Sequence, residues 1–234
     1  MRIVSWNMRK KKGNWNYLLS SLNPDFALLQ ETSPIEDYID PQYITEVIVK
    51  KNLRNSIFVK NNDFRSLQMP HDEGMGLNVV KVAKSGYGEI FFLSIYGNLI
   101  FSPSLHTKLE ELISLYVSEL RTKYSANHIL IAGDFNMDRM MDENPTGSRF
   151  VKKGERTHNL FFDSILNLGF SDCLRKYHPN FIQTYRHNRG NYPWEIDHMF
   201  ATEDLYKNLQ SIDVHNSDEI NRLSDHNPIV ADFS

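Results

Sequence analysis

The segment His128–Asp138, HILIAGDFNMD, joins an apolar run to a carboxylate and an amide two positions apart. If the chain stays extended through Asp134-Phe135-Asn136, alternation puts Asp134 and Asn136 on one side and turns Phe135 into packing. A carboxylate beside an amide at a strand end offers hard oxygens and a neutral donor, which suits a phosphate and a divalent cation. The same residues also make an ordinary Asp/Asn turn. A second cluster, LSDHNPIVADF at Leu223–Phe233, sets Asp225 beside His226 before a final apolar run. A histidine there is a general base, an electrostatic clamp on phosphate or part of a surface turn.

Three further positions repeat the theme. WEIDH, Trp194–His198, leads into an apolar strand in which Glu195, Asp197 and Met199 share one side and Ile196, His198 and Phe200 the other. A carboxylate in such a strand is costly to bury unpaired. His226 is a natural partner for Asp197, because a carboxylate on one imidazole nitrogen fixes the tautomer and raises basicity. Glu31 follows the run DFALLQ and is placed to bind metal, and Asn7 ends the first run. Polar residues at strand ends converge on one cleft when the strands are neighbours in sheets.

The elements that position them are short. Strands are expected at Arg2–Trp6, Asp25–Gln30, Ser56–Lys60, Met75–Val82, Glu89–Tyr96, His128–Ala132, Glu195–Ala201, Ser211–His215 and Ile229–Phe233. Helices are expected at Asn14–Leu22, capped by Asn14, at Ser104–Tyr124 with Leu105, Leu109, Leu112, Leu115, Tyr116 and Leu120 inward, and at Thr157–Leu168 with Leu160, Phe161, Ile165 and Leu168 inward. So many strands among few helices point to a layered α/β architecture with a mixed sheet or two packed sheets. The 234 residues, 41% hydrophobic and 24% charged, suit one compact globular domain over 1–234. The net charge of −3 does not describe a binder driven by charge alone. One cysteine, Cys173, excludes an internal disulfide and a cysteine-rich zinc site. The basic run of MRIVSWNMRKKKGNW follows its apolar stretch, the reverse of a secretory leader. No run reaches the roughly 20 apolar residues that span a bilayer. A soluble, cytoplasmic chain without an obligate protein partner is expected.

The ordered set Ser-Trp-Asn (5–7), Gln-Glu-Thr (30–32), Gly-Asp-Phe-Asn (133–136), Ile-Asp-His (196–198) and Ser-Asp-His-Asn-Pro (224–228) resembles the endonuclease/exonuclease/phosphatase superfamily. The resemblance implies a four-layer sandwich of two mixed β-sheets flanked by helices. It implies that Glu31, Asn7 and Asp225 hold Mg²⁺ or Mn²⁺, which hard oxygen ligands favour over zinc. By the same resemblance Asp134 orients or deprotonates the attacking water, Asn136 binds the scissile phosphate, and His226 contacts phosphate with Asp197 orienting it. Tyr96 matches a tyrosine that touches phosphate or the leaving group. Asn7 also matches a phosphate contact.

Two departures stand beside this. Many nuclease relatives carry an acidic residue where Arg9 stands, so a second metal relying on it is not expected. After Tyr96 the relatives' proline is missing and Asn98 sits one position early. The substrate signal is polyanionic: Arg9 to Lys12, then Arg149, Lys152 and Lys153, then Arg186, His187 and Arg189 beside Tyr185 and Trp194. Basic residues among aromatics suit nucleic acid, DNA above RNA. Trp194 matches the tryptophan that lines the sugar pocket of abasic-site enzymes, and Arg186 joins it as a substrate contact. A phosphatase or phosphodiesterase on a small-molecule or lipid head-group phosphoester is the alternative; an inactive binding module is the third reading.

Overall fold

The computed structural model describes residues 1–48, 54–60, 64–69, 76–97, 105–143, 157–186 and 193–234. The chain opens with β1 (Arg2–Asn7), a short helix α1 (Asn14–Tyr17) continuing as a π turn over Leu18–Leu22, and β2 (Phe26–Gln30). Then come β3 (Ile44–Ile48), β4 (Arg54–Val59), β5 (Phe64–Ser66), β6 (Leu77–Lys84) and β7 (Gly88–Tyr96). Helix α2 (Leu105–Tyr124) leads to β8 (His128–Asp134), α3 (Met140–Glu143), α4 (Thr157–Asn167), β9 (Phe170–Asp172) and α5 (Cys173–Tyr177). A two-stranded ribbon, β10 (Tyr185–Arg186) and β11 (Pro193–Trp194), precedes β12 (Asp197–Thr202), α6 (Glu203–Asn208), β13 (Leu209–Val214), α7 (Asp218–Leu223) and β14 (Ile229–Phe233).

Among the described residues, two six-stranded mixed sheets pack face to face between helices, the expected four-layer α/β sandwich. One has the order β13-β14-β1-β2-β4-β3 and the other β5-β6-β7-β8-β12-β9. Each contains one parallel pair, β1 with β2 and β7 with β8, and its other pairs are antiparallel. A parallel pair needs a crossover, and α1 and α2 supply them. The pairs end level: Asn7 stands opposite Gln30, and Tyr96 opposite Asp134. The antiparallel neighbours enter from that same end, with Asp197 opposite Asp134 and Ser5 opposite Ile229. Polar residues far apart in sequence therefore meet at one rim.

Side-chain alternation fills three cores. Ile3, Phe26, Leu28, Ile57, Phe92, Leu130, Ala132 and Met199 lie between the sheets. Phe91, Ile129, Ile131 and Phe200 pack under α2 and α4, and Val4, Trp6, Ala27 and Leu29 pack under α1. Towards the rim the inter-sheet space turns polar while remaining buried. Gln30 Nε2 donates to Ser94 Oγ (3.2 Å), Ser94 Oγ to Asn55 Oδ1 (2.6 Å), Asn55 Nδ2 to the Ser94 carbonyl (2.9 Å) and Asn78 Nδ2 to the Asn55 carbonyl (3.2 Å). These neutral side chains form a shelf directly beneath the rim.

Several expectations need correction. Asn14 is not the cap of the first helix; the cap position is Gly13, in the left-handed region at φ 88°. Asn14 is fully buried, and its Nδ2 donates to the Met8 and Leu223 carbonyls. The strand expected from Glu195 begins at Asp197, so the alternation that put Glu195 beside Asp197 fails. The Glu195 carboxylate instead pairs with Arg175 and accepts from the Ile182 N–H (2.8 Å). Leu115 and Leu160 face solvent, and Ile113, Val117 and Phe162 take the inward stripes of α2 and α4. Met75, Asn98 and Ser104, and the basic residues Arg149, Lys152, Lys153, His187 and Arg189, lie outside the described residues. No described helix is long and apolar enough to cross a membrane.

Candidate active site

Each rim residue is delivered by a strand end. Gly133, in GDFN, has φ 150°, and a Cβ there would run into the Ile95 carbonyl, so only glycine lets β7 and β8 close beside Asp134. Asp134 ends β8, 1% exposed. Its Oδ2 accepts from Asn7 Nδ2 (2.9 Å), and its Oδ1 accepts from the Asn136 N–H (2.9 Å). The chain does not stay extended through this motif: Asn136 turns left-handed at φ 52°. Asn136 nonetheless stays at the rim, its Nδ2 donating to the Gly97 carbonyl (2.6 Å), and Phe135 is fully buried in aromatic packing.

His226 arrives from the turn before β14 and is held on several sides. Its Nδ1 donates to both Asp197 oxygens, at 2.9 and 3.1 Å. Its backbone N–H donates to Ser224 Oγ (3.1 Å), whose hydroxyl donates to the Asn7 carbonyl (2.8 Å). Trp6 Nε1 donates to the His226 carbonyl (3.1 Å). The Tyr185 ring lies 4.6 Å from the imidazole, centroid to centroid. With Nδ1 committed, Nε2 faces Asp134 Oδ2 across 4.0 Å. A water or phosphate oxygen seated off that line reaches both atoms at hydrogen-bond distance.

The electrostatics follow from burying two carboxylates around one imidazole. Burial pushes the Asp134 carboxyl well above its usual range, His226 opposes this, and Asp197 adds to it. Burial alone would lower the His226 imidazole; the charges of Asp197 and Asp134 outweigh it, so the ring is held above its ordinary value as an imidazolium. The cluster thus holds a proton at neutral pH and sets an acceptor beside a donor. Tyr96 donates its hydroxyl to Glu31 Oε1 (2.7 Å), and burial, then the Glu31 charge, raises the phenol far beyond reach of ionisation. Tyr96 is therefore a neutral donor.

Glu31 sits just past β2 in a left-handed conformation, φ 48°, which turns its side chain from the strand direction. The Lys10 N–H donates to the Glu31 carbonyl (2.6 Å), so the exposed basic loop Arg9 to Lys12 is pinned beside it. Arg9 Nη1 stands 3.4 Å from Asp225 Oδ2. The oxygens of Glu31, Asn7, Asp134 and Asp225, with no thiolate among them, fit a hard divalent cation by donor chemistry. Among the described residues, the group whose possible ligand atoms lie within 4.8 Å of one another is Asp134, Asp197 and His226.

Other sequence candidates occupy supporting positions. Arg186 directs its guanidinium to the Ser224 carbonyl (2.5 Å) and to Asn227 Oδ1, which fastens the Ser-Asp-His-Asn turn. Trp194 is 7% exposed and pairs through its backbone with Tyr185. Three residues at the site carried no sequence signal of their own. Thr184 Oγ1 accepts from the Ile196 and Asp197 N–H groups, both at 3.0 Å, and so carries the start of β12. Ser224 and Trp6 lay inside recognised motifs without a role.

The fold and this rim define a two-sheet α/β sandwich with a buried carboxylate–imidazole site at the open ends of its parallel strands. Residues 4–226 match the Endonuclease/Exonuclease/phosphatase family, and the chain belongs to it. The 3′ phosphatase NExo from Neisseria, solved with a product DNA hairpin, superposes with a TM-score of 0.74 at 21% identity, covering 100% of this chain and 99% of that one. The 3′-5′ exonuclease NExo from Neisseria meningitidis gives 0.73 at 21% identity, with 100% of both chains covered. An AP endonuclease from Archaeoglobus fulgidus gives 0.71 at 21% identity, covering 100% and 99%. At these identities the likeness concerns the fold. No curated protein matches the sequence.

Proposed function

We propose that the chain is a metal-dependent phosphodiester hydrolase acting on DNA, a nuclease using Mg²⁺ or Mn²⁺. The observation that carries this is the convergence of Asp134, Asn7, Asp197 and His226 at one buried rim beneath the exposed Arg9 to Lys12 loop. In this reading Asp134 takes the proton of the attacking water. The His226 imidazolium, steadied by Asp197, donates from Nε2 to the charge that develops on the phosphoryl oxygens. Asn136 and Asn7 orient the phosphate, and Tyr96, whose one hydroxyl hydrogen goes to Glu31, holds that carboxylate beside the leaving oxygen. Glu31, Asn7 and Asp225 are the residues proposed to hold the cation. When bound, it supplies charge neutralisation on the phosphate. Arg9 stands against Asp225 as a tethered positive charge, which favours one metal over two. The basic loop meets the nucleic acid, with Trp194 buried behind the site.

The test is metal-dependent cleavage of labelled single- and double-stranded DNA, an abasic duplex, a 3′-phosphorylated strand and a panel of small phosphoesters, with Glu31→Gln as control. DNA cleavage that needs metal and vanishes in Glu31→Gln is expected. Turnover of small phosphoesters alone overturns the nuclease reading, and no turnover anywhere leaves a binding module.

A further inference from the structure

His198 is the member of WEIDH that the proposed chemistry leaves without work. It is 4% exposed, on the opposite face of β12 from Asp197. Its Nε2 lies 2.9 Å from the Met137 carbonyl, which only accepts, so Nε2 carries the hydrogen. The ring is fixed by Phe162, Phe135 and Phe200, at centroid distances of 4.5, 5.5 and 6.0 Å. Two more bonds join the same two segments: the Phe135 N–H donates to the Ile196 carbonyl (2.9 Å), and the Glu195 N–H donates to Asp138 Oδ2 (2.7 Å). The start of β12 thus grips the whole turn Phe135-Asn136-Met137-Asp138 from behind. Asn136, at its centre, holds a left-handed conformation that side chains other than glycine adopt at some cost and that persists where the surroundings impose it.

We infer that His198 is a positioning residue: through the Met137 carbonyl it fixes the turn that aims the Asn136 amide. One strand then sets two groups at once, Asp197 orienting His226 on its inner face and His198 orienting Asn136 from its outer face. The inference rests on the proposed hydrolase reading for its kinetic consequence, and on geometry alone for its structural one.

The test compares His198→Phe, which keeps an aromatic ring and loses the donor, with His198→Gln, which returns an N–H. Each is assayed by kcat and KM on the DNA substrate cleaved by the parent protein, with thermal melts to establish folding. His198→Met is the second apolar substitute should the Phe variant not fold. His198→Phe is expected to lower kcat about 10–100-fold with little change in KM. His198→Gln should recover most of it. In an Asn136→Ala background the Phe substitution should cost nothing further, because the two residues act as one unit. Multiplying losses, or an unchanged kcat in His198→Phe, overturns the assignment. Amide hydrogen exchange at Asn136, measured without substrate or metal, should quicken in His198→Phe; unchanged exchange also overturns it. If the parent protein cleaves nothing, the functional reading fails while the exchange measurement still decides the role of His198.

Discussion

The two ends of the space between the sheets are built by the same strands in the same register, yet they are opposite in chemistry. At the closed end Ile3, Phe26, Ile57 and Phe92 interdigitate, with Phe26 stacked on Phe92 at 4.7 Å. Two to four positions further along the same strands stand Ser5, Asn7, Gln30, Asn55, Ser94 and Tyr96, all buried. Alternation decides which side chains enter the space; it does not decide their polarity. The closed end gains free energy by removing apolar surface from water, whereas the rim holds charges there at a cost. Among the described residues other than glycine, Arg9, Lys10, Glu31 and Asn136 are left-handed at the rim, and Asn23 and Ser125 are left-handed before β2 and β8 at the other end. Stability is concentrated at one end and the buried charges at the other.

The sharpest way to break that contrast is Asp134→Asn. At the rim Asp134 and Asp197 surround one imidazolium, so removing the Asp134 charge leaves the balanced pair Asp197–His226. Turnover should fall by on the order of 10³-fold or more, while thermal denaturation should show equal or greater stability, by about 0.5–2 kcal/mol. A variant both inactive and clearly less stable would mean that the rim charges support the fold. The converse substitution is Phe92→Ala at the closed end, expected to cost about 3–5 kcal/mol in denaturant unfolding and to leave kcat per folded molecule near the parent value. A large kcat loss in the folded fraction would show that the two ends are not independent.

A third effect, confined to acid pH, concerns a group on neither end. Burial, with Arg175 and Arg139 nearby, holds the His198 imidazole down to about 3. Its folded pKa lies below the unfolded value of about 6.5, so the unfolded chain takes up the proton first as pH falls. The contribution of neutral His198 is fully present above about 6.5 and is lost progressively between there and about 3. Asp138, raised by burial to about 6, acts in the opposite sense as pH falls, so the useful quantity is a difference. Relative to His198→Phe, the parent protein should lose stability by up to about 1.4 kcal/mol per pH unit below 6.5. Parallel stability–pH curves for the two proteins would contradict a buried neutral His198.

Much of the rim was legible in sequence because its strands are apolar runs closed by polar residues, as in SWN, LLQE and GDFN. Order along the chain then matched the family pattern, and two mixed sheets followed. What stayed hidden depends on contacts made across the fold. Asn55, Asn78 and Ser94 sit within or beside strand runs like any tolerated polar residue, and only the facing of two sheets makes them a shelf. Asn14 resembled a helix cap in every local respect; its carbonyl partners, Met8 and Leu223, lie at opposite ends of the chain. Glu195 leaves the face of Asp197 because β12 begins two residues later than the WEIDH alternation suggests, at the point where Thr184 Oγ1 accepts from the Ile196 and Asp197 N–H groups.

The pairing of β1 with β14, Arg2 opposite Asp232 through Ser5 opposite Ile229, also has a temporal consequence. A ribosome delivers the first strand long before its neighbour exists, so for most of synthesis that edge of β1 has no native partner. His226, carried in the turn just before β14, reaches Asp197 only after β1 to β13 have emerged. Such distant pairings form late and slowly. A nascent chain lacking β14 would expose a long unpaired edge on β1. The rim of this architecture is therefore complete only once the turn carrying His226 has joined the strands made before it.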